Sequence, residues 1–471
     1  MKMLRNYCGI RFAKFLMHAE ILITLLPKVT IGTVVCPSTS SLSRYAYAVI
    51  IPDPDVKHNP KNTALNRARV VFSSLRATGT QYDVVAILGE TAPLVWTETV
   101  GAEGVRVCRF PDIQNPYAQR PTYGRERGSV RVLSAWGLTE YHRIVVLGIL
   151  NLIVYNIDDL FGCGSFCAVE VRPCIFSTGL MVIEPSEEVL DKMHKTIQRL
   201  SSGAPTAAGP AQDFDSDEQE FLNLFFGDLA GSPLFVPGRK PSHTGAYRLP
   251  SGYQTDPAQH HPRCDKEQNC CSTSVVSFEG RYTADPWFWW SWPIQPWAGA
   301  WHARRTEAVG YSEEMTRAAA LQVAAVVVFL VCLKTYKLQT CQHLRKALAQ
   351  LCRDTHPLTM RWIMGCLVVA ALGVPVWLVP SAIHPVFGWP LYFQLSSVLL
   401  LAMHMLLGLK ISAFLALAVI GIGLLALQGR ACSSVLQRVL IGAAVVFLEG
   451  AVCCHVIRKP FVEVDLGGKL V

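Results

Sequence analysis

The chain has little charge for its length: Asp, Glu, Lys and Arg make up 17% of its 471 residues, whereas 51% are hydrophobic. Disordered proteins show the opposite balance, so extensive disorder is excluded. The 16 cysteines are too few for a disulfide-rich scaffold. The net charge of +8 does not indicate a nucleic-acid partner, because the basic residues flank apolar runs. A membrane protein with a sizeable soluble part is predicted.

Apolar sequence is concentrated in the last third of the chain. Five stretches there approach the ~20 residues that a helical span needs: 318–333, 362–383, 386–409, 411–427 and 439–457. Four spans are the alternative, because the first and fourth stretches are short. Basic residues cluster between 334 and 361, which places that side of the membrane in the cytoplasm.

These features divide the chain into four parts. Residues 1–36 are predicted to form a signal peptide or signal anchor, because basic residues precede an apolar patch there. Residues 37–314 form a lumenal domain, and residues 315–460 form a membrane domain. Residues 461–471 are a cytoplasmic tail.

Within residues 37–314, apolar runs alternate with helical stretches. Strands are predicted at 45–51, 83–88, 105–110, 143–147 and 180–183, and helices at 64–77, 130–138, 186–200 and 216–226. This pattern predicts an α/β fold whose mainly parallel sheet is covered on both faces. Ligands of such sheets bind beyond the carboxyl ends of the strands. Segments 201–211 and 238–268 are predicted to be surface loops.

A series of short motifs runs through this region in a fixed order. They are Thr139-Glu140-Tyr141, Arg143 to Leu147, Asn156-Ile-Asp-Asp-Leu-Phe161, Ser177-Thr-Gly179, Glu218-Gln219 and Pro286-Trp287. Together they resemble the core of the family 8 glycosyltransferases, the glycogenin group. The cysteines at 163 and 167, the Pro286 to Trp290 run and the apolar last third are similar to plant-type glycogenin-like proteins that glucuronidate inositol phosphorylceramide.

The resemblance implies a GT-A-like (Rossmann-like) nucleotide-sugar domain that transfers a sugar from a UDP-sugar with retention, helped by Mn²⁺. It implies glucuronate as the sugar, an inositol phosphorylceramide lipid as acceptor, and a Golgi or related lumen as the compartment. It also makes other glycosyltransferase subunits candidate partners. By the same resemblance, Glu218 and Gln219 stand at catalytic positions. The donor would contact Ser177, Thr178, Gly179 and Arg131.

The chain departs from the family where a metal would bind. Gly148 and Leu150 stand at the positions of the two aspartates of the Asp-x-Asp motif, and Ser277 stands at the position of a histidine. Val132, next to Arg131, replaces a donor-binding lysine. Mn²⁺ prefers carboxylate oxygens and imidazole nitrogens. The family's metal ligands are therefore missing.

Two hypotheses follow from these losses. In the first, the chain is an active transferase in which arginines stabilise the departing diphosphate. The candidates are Arg125, Arg127, Arg131 and Arg281. In the second, it is a non-catalytic paralogue that acts as a scaffold or subunit. A transporter is disfavoured, because the spans carry few charges.

Three further features have predicted roles. Six of the 11 tryptophans lie between residues 287 and 301 and predict a belt at the membrane interface, with stacking on a sugar or lipid headgroup as the alternative. The acidic residues Asp213, Asp215, Asp217 and Glu218 are interpreted as a charged helix start, with a metal site as the alternative. Some lumenal cysteines should form disulfides, and Cys163 and Cys167 are candidates.

Overall fold

The computed structural model describes residues 36, 43–53, 62–117, 130–202, 214, 216–238, 245–257, 273–279, 285–291, 297–336, 350 and 357–407. Almost all of the predicted signal segment and the whole of the fourth and fifth predicted spans lie outside these residues. The chain divides into two compact units. The first comprises Met1–Thr283 and Ala303–Val309, and the second comprises Ala284–His302 and Gly310–Val471.

Seven strands form the main sheet of the first unit, in the order β3-β2-β1-β4-β7-β6-β8. They are β1 (Tyr45–Ile50), β2 (Asp83–Gly89), β3 (Arg106–Phe110), β4 (Arg143–Leu147), β6 (Phe166–Arg172), β7 (Ile175–Ile183) and β8 (Ala246–Leu249). A second sheet, in the order β5-β10-β9, contains β5 (Asn151–Ile153), β9 (Gln254–Thr255) and β10 (Val275–Ser277).

Helices connect and cover the strands. In the first unit they are α1 (Thr63–Arg76), α2 (Leu94–Ala102), α3 (Glu187–Ser201) and α4 (Asp217–Phe225), with 3₁₀ helices at Arg131–Gly137, Asp158–Gly162 and Leu229–Gly231. Helix α5 (Ala298–Ala308) contributes residues to both units. The second unit contains α6 (Ser312–Tyr336), α7 (Pro357–Leu378), α8 (Pro385–Leu407) and a 3₁₀ turn at Trp289–Ser291.

The core of the first unit lies on both faces of the main sheet. Successive side chains of a strand point to opposite faces. Accordingly, Tyr47 and Val49 of β1 pack with Phe72 of α1, while Ala46 and Ala48 pack with Trp136 on the other face. The predicted α/β architecture with a mainly parallel sheet is confirmed. Strand β7 is the exception, because it runs antiparallel to β4 and β6.

Some elements escaped the sequence analysis. The prediction that segment 238–268 is loop was wrong in part, because β8 and β9 lie within it. The apolar pattern marked only the second half of β7, since the first half contains Ser177, Thr178 and Gly179 instead of an apolar run. These strands owe their place to pairing with distant partners, as β8 does with β6, and such pairing leaves a weak local signal.

Two disulfides have both cysteines among the described residues of the first unit. The predicted pair Cys163–Cys167 is confirmed, with Cα atoms 6.6 Å apart at the start of β6. A second bridge joins Cys36 to Cys108 of β3, across 72 residues of sequence. Disulfides persist in oxidising compartments and are rare in the cytosol.

Three of the five described tryptophans of the 287–301 cluster are buried, and Trp292 lies outside the described residues. Trp287, Trp289 and Trp301 are buried, whereas Trp290 is 37% exposed. The Trp289 ring lies 5.0 Å from that of Trp389 on α8. The interfacial belt was therefore wrong for the three buried rings, because their surfaces are covered by protein. Composition alone does not separate a tryptophan that meets lipid from one that fills a core.

Helices α6, α7 and α8 coincide with the first three predicted spans. Within the described residues, however, no helix is both long enough and apolar enough to cross a membrane. The predicted multi-span domain is therefore not confirmed. Several large apolar side chains of these helices are nevertheless exposed. Trp377 is 91% exposed, Trp362 76% and Val369 69%.

We expect Trp289→Ala to destabilise the second unit by about 3–5 kcal/mol, because it empties a packed site in the core. Gly388 of α8 lies directly against this side chain, so no bulkier neighbour fills the space. The matched control is Trp290→Ala, which removes a partly exposed ring. Thermal unfolding of the purified full chain measures both. Equal losses for the two variants would contradict the assignment of Trp289 to the core.

Candidate functional site

The order of the strands locates the candidate site. The chain passes from β1 outward to β2 and β3 on one side, and then returns to place β4 on the other side of β1. Both β2 and β4 pair with β1 in parallel. Ligands of open α/β sheets bind at such a reversal, beyond the carboxyl ends of the strands. The edge just beyond β1 and β4, at Asp53 and Gly148, is therefore the candidate site, and this edge is called the cleft below.

Gly148 and Leu150 form a turn directly after β4, in agreement with the predicted strand and turn. The backbone N–H of Gly148 donates to the carbonyl of Gly179 at 2.9 Å, which brings the middle of β7 to this edge. The side-chain Nδ2 of Asn151 donates to the same carbonyl at 2.5 Å. Leu150 in turn accepts a backbone hydrogen bond from Phe278, the residue after β10.

A carboxylate lies against the glycine that replaces the first aspartate. A Cβ atom placed on Gly148 would collide with Oε1 of Glu279, and the Cδ atom of Glu279 would be 3.4 Å away. A Cβ placed on Gly179 would collide with the other oxygen of Glu279 and would lie 2.8 Å from Nε2 of Gln254. Neither glycine leaves room for a side chain, because the Glu279 carboxylate occupies the space over both.

Buried polar side chains surround this carboxylate. The Ser177 hydroxyl accepts hydrogen bonds from the backbone of Gly179 and from Nε2 of Gln254, at 3.1 Å and 2.9 Å. Ser277 pairs with Asn151 across the β10–β5 register. Three of the buried oxygens that lack a hydrogen-bond partner within the described part of the chain belong to this region: Oδ1 of Asn151, Oε1 of Gln254 and Oγ of Ser277.

The start of α4 contributes the predicted catalytic positions. Ser216 caps this helix by accepting from the Gln219 backbone at 3.1 Å. Nε2 of Gln219 donates to the carbonyl of Phe176 at 3.1 Å, so this buried amide braces the start of β7. Burial and the negative charge of Glu279 raise the pKa of Glu218 to about 8. The two carboxylates are thus close enough to interact.

The acidic residues around Glu218 do not act as one cluster. Asp217 is buried and accepts a hydrogen bond from Nδ2 of Asn115 at 2.8 Å, which gives it a structural partner. Asp213 and Asp215 lie outside the described residues. Among those that are described, no group of three or more His, Cys, Asp or Glu side chains is arranged to hold a metal.

Arg131 lies at the same edge but is already engaged by two acids. Its buried guanidinium contacts Asp53 at 2.6 Å and also pairs with Asp112. Each of these carboxylates follows the end of a parallel strand, β1 and β3 respectively. Much of the charge of Arg131 is therefore neutralised before a ligand arrives. Arg125, Arg127 and Arg281 lie outside the described residues.

The structure brings most of the predicted residues together. Gly148, Leu150, Ser177, Gly179 and Ser277 surround the junction of β4, β7 and β10, with half-buried Thr178 between two of them. Sequence reasoning missed Asn151, Gln254 and Glu279. Glu279 could have been noticed, since it lies two residues after the Ser277 that replaces a metal ligand. At the family's own metal positions the fit fails, because Gly148 and Leu150 have no side-chain donor.

Comparisons with known proteins support a glycosyltransferase. Residues 314–466 match the family described as "PGSIP7 C-terminal domain". The putative glucuronosyltransferases PGSIP8 and PGSIP7 of Arabidopsis thaliana are 36% and 33% identical over 344 and 346 residues. Each alignment covers 70% of this chain, and 65% and 66% of the two relatives, so the chain spans just under two thirds of their length.

Two further likenesses are more distant. Inositol phosphorylceramide glucuronosyltransferase 1 of the same plant is 27% identical over 262 residues, which are 51% of this chain and 43% of the relative. The solved structure of the galactosyltransferase LgtC with donor and acceptor sugar analogues is 13% identical, with a TM-score of 0.37. It covers 56% of this chain and 96% of that one. The relatives' names and the mainly parallel sheet support the GT-A-like fold class.

We expect the stability of the chain to fall as the pH rises from about 5 to 8, through the raised pKa of Glu218. The native state holds a proton on Glu218 in this range, whereas the unfolded state has lost it, and the penalty reaches at most about 4 kcal/mol. Glu218→Gln should remove this part of the pH dependence and give a higher melting temperature than wild type at pH 8. Melting curves between pH 5 and 8.5 measure it.

The control is Glu220→Gln, two residues further along α4. This substitution should leave the pH dependence of stability unchanged. Identical pH profiles for wild type and Glu218→Gln would show that Glu218 titrates normally.

Proposed function

We propose that this chain is a membrane-associated glycosyltransferase that transfers glucuronate from UDP-glucuronate to an inositol phosphorylceramide lipid with retention of the anomeric configuration. The observation that carries the proposal is the cleft at the reversal between β1 and β4. Gly148, Ser177, Gly179 and Glu218, which come from distant parts of the sequence, meet at that edge. A nucleotide-sugar site at this edge is what the fold favours.

The relatives support the choice of sugar and acceptor. Three of them are named as glucuronosyltransferases, and one of these names specifies inositol phosphorylceramide. The alignments with the first two cover 70% of the chain, which is more than its first unit alone can supply. The names of these relatives therefore support glucuronate as the sugar and inositol phosphorylceramide as the acceptor.

The second unit supports association with a membrane. Exposed Trp362, Val369 and Trp377 on α7 form an apolar surface that water solvates poorly. An acceptor with two long hydrocarbon chains is held by a bilayer, so a transferase that acts on it must work at that surface. The disulfides support a Golgi or related lumen for the first unit, because that compartment is oxidising.

A non-catalytic paralogue is the second candidate, and Gly148 and Leu150 favour it. With no side-chain ligand at either position, the charge of a departing diphosphate must be stabilised by other groups. Such a chain would serve as a subunit or scaffold for active glycosyltransferases. The two candidates differ in one measurable property, which is turnover of the donor.

We expect the full chain in detergent to bind UDP and to convert UDP-glucuronate and inositol phosphorylceramide into a glycosylated lipid. Gly179→Ala should weaken UDP binding at least tenfold, because the new methyl group collides with Glu279 and Gln254. The matched control is Gly162→Ala, where the structure leaves open space around an added methyl group. Calorimetry measures binding, and proton NMR of the product reads its anomeric configuration.

UDP binding without turnover would favour the scaffold. Absence of both in a folded sample, with acceptor present, would overturn the proposal. Equal UDP affinities for the Gly179 and Gly162 variants would place the nucleotide elsewhere.

We expect Asp159, in the first unit, to face the lumen. A protease-cleavable tag inserted at this residue should resist protease in sealed microsomes and become cleavable after detergent is added. Cys163 and Cys167 should also resist alkylation until a reductant is present, because they form a disulfide. Cleavage of the tag in sealed vesicles would contradict a lumenal site.

A further inference from the structure

Two histidines and a tyrosine meet in the second unit. His302 lies on α5, Tyr311 directly precedes α6, and His384 directly precedes α8. The centroid of the His384 ring is 5.2 Å from that of His302 and 5.1 Å from that of Tyr311. His302 is 2% exposed and Tyr311 is 9% exposed. These three side chains, called the histidine cluster below, therefore join α5 to the starts of α6 and α8.

The hydrogen bond made by the His384 ring requires a neutral imidazole. Its Nδ1 accepts from the backbone N–H of Val386 at 3.2 Å, so His384 caps the start of α8 in the way that Asn, Asp, Ser or Thr usually does. A second proton on the ring would occupy Nδ1 and remove the lone pair that accepts this bond. The positive end of the helix dipole also disfavours a cation at this position.

The surroundings of His302 oppose a positive charge as well. Its Nδ1 forms a hydrogen bond with the Tyr311 hydroxyl at 2.5 Å, and its ring is almost completely removed from solvent. Arg305, one turn further along α5, is completely buried, so a cation already lies on the same side of this helix. A proton on His302 would add a poorly hydrated charge beside a second imidazole.

The acids of the surrounding elements are mostly engaged elsewhere. Four acids lie on the described residues of segment 285–291, α5, α6 and α8: Asp285, Glu307, Glu313 and Glu314. Glu307 and Glu313 are exposed, and each pairs with an arginine of its own helix. Asp285 accepts from the backbone N–H of Trp287 at 2.9 Å. Glu314 is half-buried, so its contribution is tested separately.

We propose that the histidine cluster is a pH-sensitive contact, which holds α5 and the starts of α6 and α8 together while its imidazoles are neutral and opens when they take up protons. A free imidazole takes up a proton at about pH 6.5. In known pH sensors, histidine clusters become protonated at about pH 5–6 and an interface then changes. The inference concerns the packing of the second unit and does not depend on glycosyl transfer.

The direction of the effect follows from which state binds the proton. Above about pH 7 the imidazoles are neutral in both the packed and the open state, and the contact contributes its full stability. Below about pH 6.5 the open state takes up a proton that the packed cluster resists, so stability is lost as the pH falls. For one such histidine, the population of the open state rises about tenfold between pH 7.5 and pH 5.5.

Hydrogen–deuterium exchange of the full chain in detergent, read by mass spectrometry, measures this opening at the cluster itself. After correction for intrinsic exchange rates, peptides that cover 298–316 and 384–392 should lose protection about tenfold at pH 5.5 relative to pH 7.5. A melting curve does not isolate this response. Burial lowers the pKa of His194, so the first unit has its own loss of stability in acid.

Asparagine variants remove the titrating rings and keep their hydrogen bonds. His384→Asn retains a side-chain oxygen that caps α8, and its loss of protection at pH 5.5 should be smaller than that of wild type. The double variant His302→Asn, His384→Asn should show equal protection at both pH values. The control His142→Asn, which replaces an exposed histidine of the first unit, should respond as wild type does. Wild-type protection at pH 7.5 confirms that each variant is packed.

Equal protection of wild type at the two pH values would overturn the proposal. So would an undiminished acid response in His384→Asn, which also decides the question if the double variant does not pack. Glu314→Gln should keep the acid response of wild type, and loss of the response in this variant would assign the titration to the carboxylate instead. None of these results bears on UDP binding or turnover, so the proposed function stands or falls separately.

Discussion

The backbone hydrogen bond from Gly148 to the Gly179 carbonyl lies where β4 pairs with β7, at the edge of the sheet that carries the candidate site. This pairing joins strands β3, β2, β1 and β4 to strands β7, β6 and β8. Strand β4 is parallel to β1 on one side and antiparallel to β7 on the other. The carboxyl end of β4 therefore meets the middle of β7, at Leu180. Asn151 of β5 donates to the Gly179 carbonyl at this junction, and Ser277 of β10 pairs with Asn151.

Much of the fold could be predicted from the sequence, because its parallel half is built from local signals. The apolar runs at β1, β2 and β4 and the periodicity of α1 fix three strands and a helix almost to the residue. The motif resemblance singled out Ser177, Gly179, Ser277 and Glu218 as candidate site positions. What it could not supply was Glu279, because the pairing of β10 with β5 joins residues more than 100 positions apart. The sequence around Glu279 therefore gives no sign that its side chain lies against Gly148.

The tryptophan cluster shows the opposite error, in which a strong local signal was assigned to the wrong environment. Trp289 and Trp301 lie in a sequence rich in aromatic residues, which is typical of membrane interfaces. Their rings are instead buried, and Trp289 lies against Gly388 and Trp389 of α8. In the second unit, exposed large apolar side chains lie on α6, α7 and the start of α8. The sequence of these helices is apolar on all sides, so it does not indicate which side packs against other helices.

The bridge between Cys36 and Cys108 has a consequence for maturation of the chain. If a peptidase removes a leader from the N-terminus, it must cut before Cys36, because a cut after that residue would discard one half of the bridge. Strand β3 would then keep an unpaired thiol in an oxidising compartment, open to mispairing. Residues Cys36 to Ser41 are mostly small, as at the cleavage site of a signal peptide. A chain that keeps the Cys36–Cys108 bridge cannot be cut within this segment.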